Sequence, residues 1–141
     1  MNINEFKDNY FFLSNFFMAP VEYDGLHYSS SEAAYQAQKC KFPSERKQFQ
    51  NLSPSKSKAL GRAVAIREDW EDVKDSVMLD IVRCKFEQNQ NLKRMLIETG
   101  DAHLEEGNNW GDRYWGTVNG EGKNKLGEIL MTVRNECKQN S

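Results

Sequence analysis

Cysteine and histidine are scarce in this sequence, and their scarcity excludes common kinds of metal and disulfide site. Cys40, Cys84 and Cys137 are its only cysteines and form no CxxC pair, so neither a zinc site nor a disulfide framework is indicated. His27 and His103 are the only histidines, and their spacing matches no HExxH-like motif. We therefore expect no metal and no cofactor.

Long apolar runs and an excess of positive charge are also missing. No stretch approaches the roughly 18 apolar residues of a membrane-spanning helix, and residues 1–10 lack the apolar core of a secretion signal. We therefore expect a cytoplasmic protein with no membrane partner. The net charge of −2 over 141 residues provides no global positive field, which disfavours generic nucleic-acid binding by phosphate neutralisation.

The residues that are present predict one mainly helical domain over residues 1–141, with a small antiparallel β element near the N-terminus. Hydrophobic residues make up 38% of the chain and charged residues 28%, which is typical of a globular domain. The aromatic-rich residues 10–17 fit a largely buried extended segment. Asp24-Gly25 separates two short alternating runs, as the turn of a β-hairpin does.

Helix signals follow the hairpin. A capping box of Ser29 with Glu32 predicts a first helix that reaches about Lys41. Ser53-Pro54 predicts the start of another helix, in which Gly61 is a weak point. Apolar spacing predicts further helices over residues 44–50, 70–86, 91–99 and 125–137.

Three polar side chains on the first helix could carry chemistry. Glu32, Gln36 and Lys39 are spaced i, i+4 and i+7 and therefore share one helix face. Glu32 could transfer protons, and Lys39 could act as an amine nucleophile toward a ribose C1. In the structural interpretation, Glu32 only completes the capping box and Lys39 only offsets the helix dipole. Spacing alone favours the structural interpretation.

A glycine-rich stretch over residues 107–127 is the second candidate region. Glycine lets the backbone approach a ligand closely, and the stretch leads into the N-terminus of the last helix, a natural anion site. Trp110, Tyr114 and Trp115 could stack on a ring, and Asp112 could bond to ribose hydroxyls. A surface turn whose tryptophans pack on the core explains the composition equally well.

Other candidates also have two interpretations. Arg62 could pair with a phosphate or be a solvated surface charge. Trp70 begins an apolar stripe, so core packing is its expected role. Asn15 and Phe16 could place an amide and a ring beside a ligand, or form a turn packed by an aromatic side chain.

An ordered set of short motifs resembles the NADAR family, also called YbiA-like. The resemblance covers residues 10–136 and is carried by Leu13-Ser14-Asn15-Phe16, Ser31-Glu32, Tyr35-Gln36-Ala37-Gln38-Lys39, Gly61-Arg62, Trp70, Lys85-Phe86, Asp112-Arg113-Tyr114-Trp115-Gly116 and Gly122-Lys123-Asn124-Lys125-Leu126-Gly127. It implies N-glycosidase activity that breaks a bond between ribose C1 and nitrogen. The resemblance implies two kinds of substrate. One is nucleic acid with ADP-ribose attached to guanine, from which the ADP-ribose is removed, and the other is a riboflavin-pathway ribosylamine intermediate.

The resemblance also implies roles for individual residues. Glu32 matches the family's essential acidic residue, and Lys39 matches a lysine expected to form a transient imine with an opened ribose. We expect the helix and the glycine-rich loop to hold the ribose between them. The substrate-binding set that we predict is Asn15, Phe16, Gln36, Arg62, Trp70, Asp112, Tyr114, Trp115 and Asn124. Residues 117–121 are poorer in glycine than this resemblance would suggest, which leaves the choice of substrate open.

A non-catalytic module is the alternative. A protein that senses or sequesters an ADP-ribose-like or NAD-like nucleotide needs the same aromatic and glycine features, but not Glu32 together with Lys39. The expected partners are thus an ADP-ribose-like or ribosylamine small molecule, or ADP-ribosylated nucleic acid. The sequence does not predict the oligomeric state.

Overall fold

The computed structural model describes residues 1–140, and the described chain is mainly helical, as predicted. Its strands and α-helices are β1 (Asn2–Ile3), β2 (Met18–Tyr23), β3 (Leu26–Ser30), α1 (Ser31–Ala37), α2 (Pro54–Ala63), α3 (Trp70–Gln88), α4 (Gln90–Glu98), β4 (His103–Leu104) and α5 (Lys125–Gln139). Contacts within the chain form two compact units. We call Asn15–Asn89 the central unit, and Met1–Ser14 together with the chain from Gln90 onward the terminal unit.

The β-hairpin of the central unit is confirmed. Strands β2 and β3 pair in antiparallel fashion, and Asp24 and Gly25 between them have φ angles of 49° and 84°. Two successive positive φ values are the mark of a type I′ turn, whose twist matches that of the flanking strands. Val21 and Tyr28 are buried on one face of this hairpin.

Helix α1 is shorter than predicted and has a different cap. Its N-cap is Ser30, whose side chain accepts a hydrogen bond from the backbone N–H of Ala33, so the predicted capping box of Ser29 with Glu32 is wrong. The helix ends at Ala37 because the following backbone pairs elsewhere. Residues 39–41 exchange backbone hydrogen bonds with residues 65–67, and this long-range pairing replaces the next helical turn.

The next two α-helices of the central unit are α2 and α3, and they differ in how well their buried residues were predicted. Ser53 and Pro54 begin α2 as predicted, but the helix buries Ser57 and Gly61, and Ala59 and Ala63 are exposed. Gly61 is therefore also a packing position. The apolar stripe predicted for α3 is confirmed at its buried members Trp70, Val77 and Ile81.

The terminal unit contains two features that the sequence did not predict. The two-residue strands β1 and β4 pair in parallel, and each is too short to give a periodic signal. The predicted extended segment over residues 10–17 is wrong, because Asp8–Leu13 is a 3-10 helix. Its turns are closed by backbone hydrogen bonds such as the one from Ser14 N–H to Phe11 O.

Two further properties concern the whole described chain. Within residues 1–140, no helix is both long and apolar enough to cross a membrane. Over the same residues, no group of three His, Cys, Asp or Glu side chains is arranged to hold a metal ion.

Candidate active site

Asn15 fixes the first turn of α1, which carries Glu32. The carbonyl oxygen of Asn15 accepts a hydrogen bond from the Glu32 backbone N–H at 3.2 Å, and its Oδ1 accepts one from the Ser31 hydroxyl at 2.8 Å. Its Nδ2 donates toward the sulfur of Met78 at 3.4 Å. The Asn15 amide, predicted to contact substrate, is thus buried and bonded within the central unit, where it sets the position of Glu32.

Glu32 and Gln36 are in direct contact inside the central unit. Nε2 of Gln36 donates a hydrogen bond to Oε2 of Glu32 at 2.6 Å, and the two residues are only 4% and 8% exposed, respectively. The helical spacing predicted that they share a face, and the structure confirms it. Because the N-cap is Ser30, this contact is not the capping interaction of the structural interpretation.

Lys39 is a half-buried amine within electrostatic reach of Glu32. Burial is the largest cause that lowers the pKa of Lys39 below its ordinary value, and the charge of Glu32 opposes this effect. Arg62, Lys58 and Lys74 lower the pKa of Lys39 further. A lower pKa increases the fraction of neutral amine at a given pH, which is the form that can act as a nucleophile.

Aromatic side chains accompany these charged groups in the central unit. The Lys58 ammonium lies 5.9 Å from the ring centroid of Phe16, and the rings of Trp70 and Tyr35 lie 5.1 Å apart with a 53° tilt. Trp70 is buried, as its core interpretation predicted. Arg62 lies at the exposed last turn of α2. The central unit thus contains an acid, an amine and further cations that act on one another.

The glycine-rich loop of the terminal unit is held in shape by its own polar side chains. Oδ1 of Asp112 accepts hydrogen bonds from the backbone N–H groups of Tyr114 and Trp115 at 3.0 and 2.9 Å. The Asn108 amide bonds both the N–H and the carbonyl oxygen of Asp112 and also reaches the carbonyl oxygen of Thr117. One oxygen of Asp112 therefore orients the two rings that follow it in sequence.

The predicted stacking residues of this loop differ in exposure. Tyr114 and Trp115 are partly buried and meet edge to face, with ring centroids 4.9 Å apart. The ammonium groups of Lys123 and Lys125 lie 5.3 and 5.8 Å from the Tyr114 ring centroid. Trp110 is 62% exposed, so it does not pack on the core as the surface-turn interpretation supposed.

The start of α5 does not offer the anion site that we predicted. The backbone N–H groups there donate to loop carbonyls, in the pairs Lys123 to Arg113, Asn124 to Gly116, Lys125 to Tyr114 and Leu126 to Trp115. These donors are therefore unavailable to a phosphate. Asn124 precedes the helix with a φ of 51° and makes no side-chain cap. Its amide instead bonds the Leu104 carbonyl and the Glu106 N–H.

Lys85 is a titratable group whose burial the sequence interpretation did not anticipate. It is 1% exposed on α3, and burial lowers its pKa to about 7. Its ammonium lies 5.8 and 5.2 Å from the ring centroids of Phe17 and Phe86. The sequence signal for this burial is the spacing, because Lys85 follows Ile81 by four residues and therefore lies on the same face of α3.

Comparison with known proteins connects these features to one family. The sequence pattern of the NADAR domain matches residues 3–138. The chain belongs to the NADAR family. N-glycosidase YbiA of Shigella boydii serotype 4 (strain Sb227) is 37% identical over 140 residues, covering 96% of this chain and 87% of that protein. A riboflavin biosynthesis protein of Vibrio vulnificus (strain YJ016) is 39% identical over 95% of this chain, but over only 37% of its own length.

A solved structure supports the same assignment. The NMR structure of the Escherichia coli protein YbiA matches with a TM-score of 0.86 and 35% sequence identity, over 99% of this chain and 85% of that one. This NADAR protein is therefore an enzyme of the N-glycosidase class.

Proposed function

We propose that this NADAR protein hydrolyses the bond between ribose C1 and nitrogen in an anionic ribosyl compound, with Glu32 and Lys39 as its catalytic residues. The observation that carries the proposal is the pairing of a buried carboxylate with a half-buried amine whose pKa is lowered and which senses the charge of that carboxylate. Perturbed titratable groups that act on one another are the usual mark of acid–base and nucleophilic chemistry.

The reaction can be written with these two groups and water. Nζ of Lys39 attacks C1, and the C1–N bond breaks with its electron pair on the departing nitrogen. The attacking amine releases a proton to the Glu32 carboxylate, and Glu32 delivers that proton to the departing nitrogen. The bond from C1 to the ring oxygen then breaks, the second proton of Nζ passes to that oxygen, and the opened ribosyl group is held as an imine with Nζ. Water adds to C1 and displaces the amine. One water is consumed, and both residues are regenerated.

Lys39 suits the nucleophile's role better than Lys85, the other amine with a lowered pKa. A nucleophile has to reach the substrate, and Lys39 is only half-buried whereas Lys85 is almost fully enclosed. The charge of Glu32 acts on Lys39, whereas burial lowers the pKa of Lys85. Proton exchange between the attacking amine and Glu32 requires an amine that interacts with this carboxylate, as Lys39 does.

The cations around Lys39 favour a substrate with negative charge. Lys58, Arg62 and Lys74 come from α2 and α3 and act on Lys39, although the whole chain has a net charge of −2. Phosphate groups next to the scissile ribose would meet these cations. Asp112, Tyr114, Trp115 and Asn124 stay predicted substrate-binding residues.

Two substrates have this chemistry. The name of the Vibrio relative, and that of an Arabidopsis thaliana relative also named a riboflavin biosynthesis protein, favour a ribosylamine intermediate of riboflavin synthesis. The family resemblance favours ADP-ribose on guanine in nucleic acid, so that the enzyme would reverse this ADP-ribosylation. The cysteines form no disulfide within residues 1–140, which fits the cytoplasmic setting that we propose.

The proposal is tested with Glu32→Gln and Lys39→Ala, assayed side by side on ADP-ribosylated DNA and on the ribosylamine by mass spectrometry of released base or amine. Each variant should lose about 10²-fold activity or more, the scale of a lost proton-transfer group. Borohydride added during turnover should fix a ribosyl group on Lys39 of the wild type.

Lys56→Met is the matched control, because Lys56 is exposed on α2 and is not among the charges that shift Lys39. Thermal melts should show that all three variants fold. Full activity in both Glu32→Gln and Lys39→Ala would refute the catalytic assignment. Borohydride labelling of Lys85 would transfer the nucleophile's role to that residue.

A further inference from the structure

The orientation of the Gln36 amide is dictated by Glu32. An ionised carboxylate only accepts hydrogen bonds, so the amide nitrogen of Gln36 has to face it, at 2.6 Å from Oε2. The amide oxygen then points the other way. Oε1 of Gln36 is buried and has no hydrogen-bond partner among the residues that the structure describes.

Gly61 provides the space that this amide occupies. A Cβ atom added to Gly61 would overlap Oε1 of Gln36 and would lie 2.9 Å from its amide carbon. Gly61 lies inside α2 with an ordinary helical backbone, where alanine would form a better helix. The glycine is therefore explained by the room it gives to Gln36 and not by backbone conformation.

Stability does not account for this arrangement. A buried acceptor without a partner destabilises the folded state, and a glycine in the middle of a helix does so as well. An apolar side chain at position 36 with alanine at position 61 would avoid both costs. The feature that is gained in return is a short hydrogen bond to the carboxylate of Glu32.

We propose that Gln36 is a positioning residue for Glu32, with Gly61 as the position that admits it. The amide fixes the orientation of the carboxylate and favours its ionised form, which is the form that accepts a proton from the attacking amine. This rests on the catalytic role proposed for Glu32. It differs from the sequence prediction that Gln36 binds substrate directly.

Other charges near Glu32 have to be considered beside this hydrogen bond. Lys39 follows α1, Lys58 and Arg62 lie on α2, and Lys74 lies on α3, and all four are cations linked electrostatically around Lys39. The charge of Lys39 also favours ionised Glu32, but Lys39 and the other three residues remain in place when only the Gln36 amide is changed. A substitution at Gln36 therefore isolates the contribution of the amide.

The first test is Gln36→Met, which keeps the length of the side chain and removes its donor. We expect kcat to fall by about 10- to 100-fold, the range for a lost hydrogen bond to a charged group, with KM unchanged. As pH is lowered, activity should be lost at a higher pH than in the wild type. The thermal midpoint should change little, because loss of the hydrogen bond to the buried carboxylate is offset by removal of the buried unpaired oxygen.

Gln38→Met is the matched control. Gln38 is equally buried just after α1, and its amide donates to the backbone carbonyl of Ala34 and not to Glu32. This variant should lose some thermal stability while the pH profile of kcat stays as in the wild type.

The second test is a double-mutant cycle that combines Gly61→Ala with Gln36→Ala. In the wild-type background the added methyl group should displace the amide and reduce kcat about as much as Gln36→Met does. In the Gln36→Ala background the space is open, so Gly61→Ala should have little further effect on kcat. Equal losses in both backgrounds would overturn the coupling.

The outcomes separate this inference from the proposed function. Loss of activity in Glu32→Gln together with a wild-type pH profile in Gln36→Met would overturn only the positioning role. A rise in KM with an unchanged pH profile in Gln36→Met would return Gln36 to the substrate-binding residues. Full activity in Glu32→Gln would instead overturn the proposed function itself.

Discussion

The pKa values of Lys39 and Lys85 are lowered by different sets of causes, and this difference bears on the role of each lysine. At Lys85, burial lowers the pKa to about 7. At Lys39 burial is joined by repulsion from three cations and opposed by Glu32. Because Arg62 is exposed to solvent, part of the effect on Lys39 comes from charges that substitution or salt can change without opening the protein's interior.

Arg62→Met tests this origin of the Lys39 pKa. Removing the cation should raise the pKa of Lys39, so less neutral amine is present at a given pH. The rise of kcat with increasing pH should therefore occur at higher pH than in the wild type. Because kcat is measured with saturating substrate, a separate effect of Arg62 on substrate binding appears in KM.

Added salt and a substitution elsewhere on α2 provide the controls for this prediction. Added salt should shift the wild-type profile in the same direction as Arg62→Met, and should shift the variant less. Lys56→Met changes the charge of α2 by the same amount and should leave the profile in place. An identical profile in Arg62→Met and the wild type would exclude an electrostatic role for Arg62.

Among the secondary-structure elements, local sequence rules predicted the hairpin turn and the start of α2 correctly. Asp24-Gly25 predicted the hairpin and Ser53-Pro54 predicted the start of α2, because both depend on the conformations of adjacent residues. The end of α1 was wrong because residues 39–41 bond to residues 65–67. No local propensity contains that long-range pairing.

In the candidate site, too, features set by local sequence were predictable and features set by long-range contacts were not. Helical periodicity was enough to place Glu32 and Gln36 on one face, whereas Lys39 lies beyond the end of α1 and not on the helix as predicted. The partners of the amide side chains were not predictable, since Gln36 bonds to Glu32, Asn15 to Ser31, and Asn124 to Leu104 and Glu106. An amide donates and accepts equally well toward a ligand or toward its own protein, so only the tertiary structure reveals the partner.

The contribution of the Asn124 side-chain hydrogen bonds to stability can be tested at the junction of the glycine-rich loop and α5. We expect Asn124→Ala to lower the free energy of unfolding by about 1–3 kcal/mol more than Asn119→Ala. Both residues have a positive φ, 51° and 54°, so both alanines carry the same left-handed strain. Only Asn124→Ala also leaves the Leu104 carbonyl and the Glu106 N–H without their partner.

Urea unfolding of the two variants measures the difference. Asn119 is exposed, so its variant reports the backbone strain alone. Equal losses of stability would mean that the buried amide of Asn124 does not hold the loop to β4, and that its positive φ is its only structural contribution.

For the whole molecule, a buried lysine links stability to pH. The ordinary pKa of a lysine is 10.5, and that of Lys85 in the folded protein is about 7. Between these values the unfolded chain binds more protons than the folded one, so the free energy of unfolding rises with pH. The stability is fully present above the unfolded pKa and is lost as pH falls toward the folded pKa.

Lys85→Met removes this titration and should flatten the pH dependence. One proton of difference corresponds to about 1.4 kcal/mol per pH unit, so from about pH 9 down to about pH 7 the wild type should lose stability relative to the variant at a slope approaching that value. Urea unfolding at several pH values measures the two curves, with Lys56→Met as the exposed-lysine control that should follow the wild type. The comparison cancels the contribution of Lys39, which has the same sign and is present in all three proteins. Parallel curves for Lys85→Met and the wild type would mean that Lys85 keeps its proton inside the folded protein, and its cation–π contacts with Phe17 and Phe86 would then be those of a charged ammonium.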